Sequence, residues 1–230
     1  MLPLRPEARL AVVGPLADDA YGMLGCYSFP AHVGVKHPER GLGLEIGTVL
    51  EGLRGQHRGE IAFAKGCDVK AAGRSGFAAA TDAAAGADVA LVVLGDQAGL
   101  FGRGTSGEGC DAADLRLPGE QQALLEAVLA TGTPVVLLLL SGRPYALGSV
   151  AQKCAAVVQT FFPGQRGGQA IAEVLTGAIN PSGHLPVSIP NSPHVQPGTY
   201  LAPRWACATG FQISTPQLCS PSATGSPMAS

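Results

Sequence analysis

The glycine-rich stretch 95–119 concentrates polar groups that can do chemistry. Glycines on both sides of Glu108 let the backbone bend freely, so the carboxylate can sit at a loop tip away from the rest of the fold. A carboxyl group held there can give or take a proton during a reaction. By spacing alone, a solvated acidic surface loop is the favoured interpretation. The charged side chains of the stretch are Asp96, Arg103, Glu108, Asp111, Asp114 and Arg116.

A second pattern in this stretch, G-x-G-x-x-G over residues Gly102–Gly107, resembles a dinucleotide fingerprint. Such a fingerprint follows a strand directly and opens a helix. Here it begins several residues after Gly95, and the next predicted helix starts near Glu120. Glu108, directly behind it, would also repel a pyrophosphate. A nucleotide-binding α/β protein is therefore the least favoured of the functions considered.

Metal and cofactor sites are not indicated. The five histidines share no ligand spacing, and the six cysteines contain no C-x-x-C pair. We therefore predict no metal, no cofactor and mostly buried free thiols. The cysteines are Cys26, Cys67, Cys110, Cys154, Cys207 and Cys219.

The composition favours a packed domain. Of 230 residues, 46% are hydrophobic and 14% charged, with a formal net charge of −2. No basic field attracts nucleic acid, and the apolar runs Ala87–Leu94 and Pro134–Leu140 fall far short of the roughly 18–20 residues that a membrane span needs. The N-terminus shows no small-residue cleavage site, so we predict a cytoplasmic protein without nucleic-acid or membrane partners.

Strand-like and helix-like segments alternate along the chain. The strands are apolar throughout, as expected when both sheet faces are covered. This predicts a three-layer α/β sandwich: a mostly parallel sheet of about five or six strands with helices on both faces. Functional loops then lie beyond the carboxyl ends of the strands. Predicted strands are Leu10–Gly14, Ile61–Ala64, Val89–Leu94, Val135–Leu140, Ala155–Thr160 and Leu185–Ile189; predicted helices are Ile46–Leu53, Phe77–Ala87, Glu120–Ala130 and Gly168–Leu175.

Several segments, in the same order, resemble the C-terminal α/β domain of family 3 glycoside hydrolases. They include PGQRGGQAIAEVLTGAINPSGHLPVSIP at Pro163–Pro190, TSGEGCD at Thr105–Asp111 and RLAVVGPLAD at Arg9–Asp18. The resemblance spans residues 9–201, which we predict to be the domain. Residues 1–8 are predicted to be a linker remnant. Residues 202–230, rich in Ala, Ser, Thr, Pro and Gly, are predicted to be a disordered tail of the composition that a frameshift or truncation produces.

The resemblance implies hydrolysis of O-glycosyl bonds by a retaining exo-β-glycosidase of the β-glucosidase or β-xylosidase type. Retention uses two carboxyl groups, a nucleophile and an acid/base. In this family the nucleophile is an aspartate on a preceding (β/α)₈ barrel, and the position matching the acid/base is Glu108. Phe101 and Arg103 are predicted to line the leaving-group side, with loop packing as the alternative. Ala112 stands where the family commonly has Arg, which leaves the support of the loop in doubt.

No barrel lies within this sequence. We therefore predict that the barrel is on another chain or lost, and that this chain alone is inactive. The bound partner would be a β-linked oligosaccharide or glycoside; the alternative is a non-catalytic carbohydrate-binding or interaction module. Leu100 and Phe101 are predicted to lie on the face left bare by the barrel, which would favour self-association.

Overall fold

The computed structural model describes residues 1–194, so the predicted tail at 202–230 lies outside the described residues. Its centre is one parallel sheet in the order β2-β1-β3-β4-β5. The sheet and its flanking helices confirm the predicted α/β fold class. The strands are β1 Leu10–Val13, β2 Ile61–Ala64, β3 Val89–Gly95, β4 Val135–Leu140 and β5 Ala156–Gln159.

The helices cover both faces of the sheet. Side chains alternate along β1, β3 and β4, so each strand feeds two separate apolar clusters. Helices α2 and α6 close one cluster, and α3, α4 and α5 close the other. The helices are α1 Phe29–His32, α2 Val49–Gln56, α3 Phe77–Ala85, α4 Gln121–Leu129, α5 Val150–Lys153 and α6 Gly167–Thr176; short 3₁₀ turns span Tyr21–Met23, Gly34–Lys36 and Pro38–Arg40.

Helix α2 begins later than its apolar spacing predicts. Thr48 caps it: the Thr48 hydroxyl accepts from the backbone N–H of Glu51 at 3.1 Å, and the Glu51 carboxylate accepts from the N–H of Thr48 at 2.9 Å. This reciprocal capping box fixes the first turn at Val49. Ile46 is therefore buried ahead of the helix rather than within it.

Two terminal segments differ from a simple reading of the sequence. Leu185–Ile189, predicted as a strand, is irregular, with isolated bridge positions at Val187 and Ile189. Pro186 and Pro190 have no N–H to give to a ladder, which explains the difference.

Within the predicted linker, Leu4 is buried and its N–H donates to the carbonyl of Leu175 at 2.8 Å. Among residues 1–194, no helix is long and apolar enough to cross a membrane.

The cysteines among the described residues are all free, and two are strongly affected by burial. Burial raises the pKa of the Cys154 thiol to about 11. Burial, with the nearby charges of Asp68 and Glu120 as smaller causes, raises the pKa of Cys67 to about 11 as well. Both thiols therefore stay protonated and weakly nucleophilic near neutral pH.

Helices α2 and α6 approach each other through glycines. A Cβ added at Gly52 would lie 2.2 Å from the carbonyl oxygen of Gly168, and one added at Gly168 would lie 2.2 Å from that of Thr48. Backbone is the obstacle in both cases, so neither contact can be relieved by moving a side chain.

Alanine substitutions at the two glycines of α2 should have opposite effects on the free energy of unfolding. Gly52→Ala should lower the free energy of unfolding by at least about 2 kcal/mol, because the helices must separate. Gly55→Ala, where a Cβ meets nothing within 4 Å, should raise it by about 0.5–1 kcal/mol through helix propensity. Urea unfolding of both variants measures the difference. Equal effects at both positions would contradict the close packing.

Candidate active site

The loop 95–119 leaves the middle of the sheet, at the carboxyl end of β3. Gly95 has φ +143, and a Cβ there would lie 2.0 Å from the carbonyl oxygen of Leu140 on β4. The buried amide of Gln121, at the start of α4, holds both polar groups of Gly95. It accepts from the Gly95 N–H at 2.7 Å and donates to the Gly95 carbonyl at 2.9 Å. The first residue of the loop is thus fixed.

Asp96 supports the base of the loop from inside. Its side chain is fully buried. Its carboxylate accepts from the hydroxyl of Thr105 at 2.7 Å and from the N–H of Gly142 at 2.9 Å, and also from the hydroxyl of Tyr145. Three donors satisfy the buried acceptor oxygens, which is the condition for burying such a group. The carboxylate therefore links the loop after β3 to the turn after β4.

Tyr145 remains a donor in this network at any ordinary pH. Burial, and secondly the negative charge of Asp96, raise the pKa of its hydroxyl far above the usual value. The protonated phenol is the form that the Asp96 carboxylate binds.

Arg143 holds the tip of the loop. Its guanidinium donates to the carbonyls of Thr105 and Cys110, one on each side of Glu108. Ala112, the position at which the resemblance implies Arg, is exposed. The support that the sequence left in doubt is thus provided by a residue from the turn after β4. Arg143 was missed because it lies 38 positions from Thr105 in the chain.

Glu108 lies at the exposed tip of the folded loop. The N–H of Gly99 donates to the Ser106 carbonyl at 2.9 Å, and the N–H of Phe101 donates to the Glu108 carbonyl at 2.8 Å. The loop therefore doubles back on itself and fixes the backbone of Glu108. Its side chain has one hydrogen-bond donor among the described residues, the hydroxyl of Tyr27 from the segment between β1 and α1. Tyr27 was not predicted.

The side chains of Phe101 and Arg103 differ in their hydrogen bonding within the loop. Phe101 is 70% exposed beside Glu108 and has φ 54, a left-handed conformation that non-glycine residues rarely adopt. Arg103 is exposed too, but its Nε donates to the carbonyl of Leu100 at 3.2 Å, within its own loop. The prediction that Leu100 lies on a bare face is wrong, because it is only 1% exposed.

The dinucleotide interpretation finds no geometric support. The glycines of the G-x-G-x-x-G pattern lie inside the loop, and the next helix, α4, begins only at Gln121. No helix N-terminus directly follows the pattern, so the feature that binds a pyrophosphate in such folds is missing there.

A cavity of about 610 Å³ lies at the base of the loop, but Glu108 is not among its lining residues. Its walls come from the outgoing half of the loop, the segment after β4 and the chain near Asn191 and Pro193, and its charged lining residues are Asp114, Arg116 and Arg143. The carboxylate of Glu108 is thus exposed at the surface and does not line the cavity.

Comparison with known proteins identifies the family. The sequence model described as the Glycosyl hydrolase family 3 C-terminal domain matches residues 1–215. The chain belongs to glycosyl hydrolase family 3. The match covers all the described residues and extends past the boundary predicted at residue 201.

Curated family 3 relatives are much longer than this chain. A β-xylosidase of Formosa agariphila is 37% identical over 201 residues, which cover 84% of this chain and 25% of that protein. A periplasmic β-glucosidase of Salmonella typhimurium is 35% identical over 213 residues, covering 83% of this chain and 26% of that protein. The chain thus spans about a quarter of the length of these relatives.

A solved family 3 structure shows the same fold. The β-glucosidase of Listeria innocua in complex with isofagomine superposes with a TM-score of 0.70 at 30% identity, covering 84% of this chain and 24% of that one. The family 3 domain fold of the present chain, predicted from its motifs, is therefore confirmed by both sequence and structure.

Proposed function

We propose that this domain supplies the general acid/base of a retaining exo-acting β-glycosidase, and that Glu108 is that residue. The observation that carries the proposal is the placement of the exposed Glu108 carboxylate at the tip of a braced loop. The loop leaves the carboxyl edge of the sheet, where α/β proteins build their sites. Asp96 and Arg143 hold the loop from two sides, so Glu108 is presented at a defined position.

Glu108 would act twice in each turnover. As an acid it protonates the departing glycosidic oxygen while a carboxylate nucleophile forms the glycosyl-enzyme; as a base it then takes a proton from the water that hydrolyses this intermediate. The two carboxyl groups of a retaining enzyme lie about 5–5.5 Å apart. The nucleophile would come from a (β/α)₈ barrel that faces the loop tip.

The substrate proposed for the assembled enzyme is a β-linked glycoside or oligosaccharide. Relatives bear the names β-xylosidase and β-glucosidase, which supports this class. The exposed ring of Phe101, held beside Glu108 by a backbone hydrogen bond, suits stacking against a leaving-group sugar. Arg103 is the weaker candidate for that role, because its side chain donates within its own loop.

The test is an assay of the complete enzyme, in which this chain is joined to a barrel as one polypeptide or as two. We expect hydrolysis of an aryl β-glucoside or β-xyloside with retention of the anomeric configuration, followed by NMR of the first-formed sugar. The 230-residue chain alone should show no enzymatic turnover. An inverted product, or full activity of the chain alone, would refute the proposal.

A further inference from the structure

We propose that Tyr27 is a positioning residue for Glu108, a role that rests on the proposed function of that glutamate. The Tyr27 hydroxyl donates a hydrogen bond to Oε2 of Glu108. In doing so it would orient the carboxyl group so that the other oxygen, Oε1, faces the glycosidic oxygen. The two residues are 81 positions apart in the chain and come from different connections of the sheet.

The place of Tyr27 is set by contacts that do not involve the loop 95–119. Met23, which precedes Tyr27 in the same segment, is fully buried, and its carbonyl accepts from the N–H of Gly164 at 2.8 Å. The carbonyl of Gly25 then accepts from the N–H of Ser28 at 3.0 Å, closing a tight turn around Tyr27. These two hydrogen bonds fix the backbone next to Tyr27 without using the loop 95–119.

A neighbouring ring fixes the orientation of the Tyr27 side chain. His32 lies edge-on to it, with ring centroids 5.6 Å apart and planes at 82°. His32 is the last residue of α1, which Ser28 caps by accepting from the N–H of Ala31 at 3.4 Å. The turn, the cap and the ring pair restrain a Tyr27 side chain that is otherwise 64% exposed.

The partner loop is shaped to receive this unit. A Cβ added at Gly107 would lie 2.8 Å from Cβ of Cys26 and 2.0 Å from the carbonyl oxygen of Gly99. Gly107 also has φ +129. Cys26 therefore contacts Gly107 while the next residue, Tyr27, reaches the next residue, Glu108. Two consecutive contacts align the segments in register.

A neutral donor suits an acid/base group better than a cation would. Among residues 1–194, Glu108 forms no ion pair. A neighbouring Lys or Arg would favour the carboxylate and oppose its reprotonation. A phenol can keep its hydrogen bond to Oε2 whether or not Oε1 carries the proton. The arrangement thus fixes the geometry of the carboxyl group through a neutral partner.

The contact itself can be tested on the 230-residue chain without a barrel. With tyrosine labelled at Cζ, we expect the ¹³C resonance of Tyr27 to follow an acid titration step that Glu108→Gln removes. Tyr21, in the same segment, makes no hydroxyl contact with Glu108 among the described residues and should not show that step. A Tyr27 resonance indifferent to Glu108→Gln would overturn the proposal.

The positioning role is tested in the barrel-containing enzyme with Tyr27→Phe. We expect kcat/KM to fall roughly tenfold for an aryl glycoside with a poor leaving group, the worth of one hydrogen bond to a charged group, and to change little for a dinitrophenyl glycoside, whose departure needs no acid. The double variant Tyr27→Phe/Glu108→Gln should be no slower than Glu108→Gln. Tyr21→Phe is the matched control and should match the parent.

Each other outcome has a distinct meaning. Equal losses on both substrates would show that Tyr27 acts only on folding, and would overturn the positioning role. Parent-like rates for Tyr27→Phe, with a large loss for Glu108→Gln, would overturn it too and leave the proposed function standing. Parent-like rates for Glu108→Gln would refute the proposed function instead, whatever the Tyr27 resonance shows.

Discussion

In the barrel-containing enzyme, Glu108→Gln should lower kcat/KM for a β-glycoside with a poor leaving group by about 10²–10⁴-fold. Glutamine keeps the size of the side chain and can still accept from the hydroxyl of Tyr27. It cannot deliver a proton to the departing oxygen, so the loss should report the chemical step rather than the fold. Initial rates on an alkyl or unsubstituted phenyl glycoside measure this effect directly.

Two further measurements identify the origin of that loss. A dinitrophenyl glycoside should lose far less in the first step, because its leaving group departs without help. Added azide should accelerate turnover of that substrate by Glu108→Ala, since an anion attacks the glycosyl-enzyme without needing a base. Glu45→Gln, at an exposed position outside the loop, is the matched control. Unchanged rates for Glu108→Gln on every substrate would show that the acid/base lies elsewhere.

Removing the buried carboxylate at the base of the loop should have the largest effect on stability. Asp96→Ala leaves three inward-facing donors, from Thr105, Gly142 and Tyr145, without their acceptor. Each unsatisfied buried group costs about 1–3 kcal/mol, so the free energy of unfolding should fall by at least about 3 kcal/mol. Urea unfolding of the chain, followed by circular dichroism, measures the change.

Two control variants distinguish the loss of the Asp96 hydrogen bonds from the loss of a negative charge. Asp82→Ala, on the exposed side of α3, removes the same group and should stay within about 0.5 kcal/mol of the parent. Tyr145→Phe removes one donor instead of the acceptor and should cost about 1–2 kcal/mol. If Asp96→Ala proves as mild as Asp82→Ala, the carboxylate does not brace the loop.

Elements that depend on local pattern were predicted well. The apolar runs at 89–94 and 135–140 are buried strands, and the apolar stripe near 120–130 is a helix, because side-chain burial repeats with the period of the element that carries it. Errors arose where a specific contact decided the boundary. The Thr48–Glu51 capping box moved the start of α2, and Pro186 kept its segment out of the ladder.

The fold class, the family and the candidate acid/base, a glutamate flanked by glycines, could all be predicted from the amino-acid sequence. Each of these depends on residues that lie close together in the chain. The residues that hold this glutamate could not be predicted, because they are distant from it in the chain. Asp96 meets Tyr145 across 49 residues, Arg143 meets Thr105 across 38, and Tyr27 meets Glu108 across 81. These partners lie in separate connections, and they meet because parallel strands bring all their carboxyl ends to one edge of the sheet.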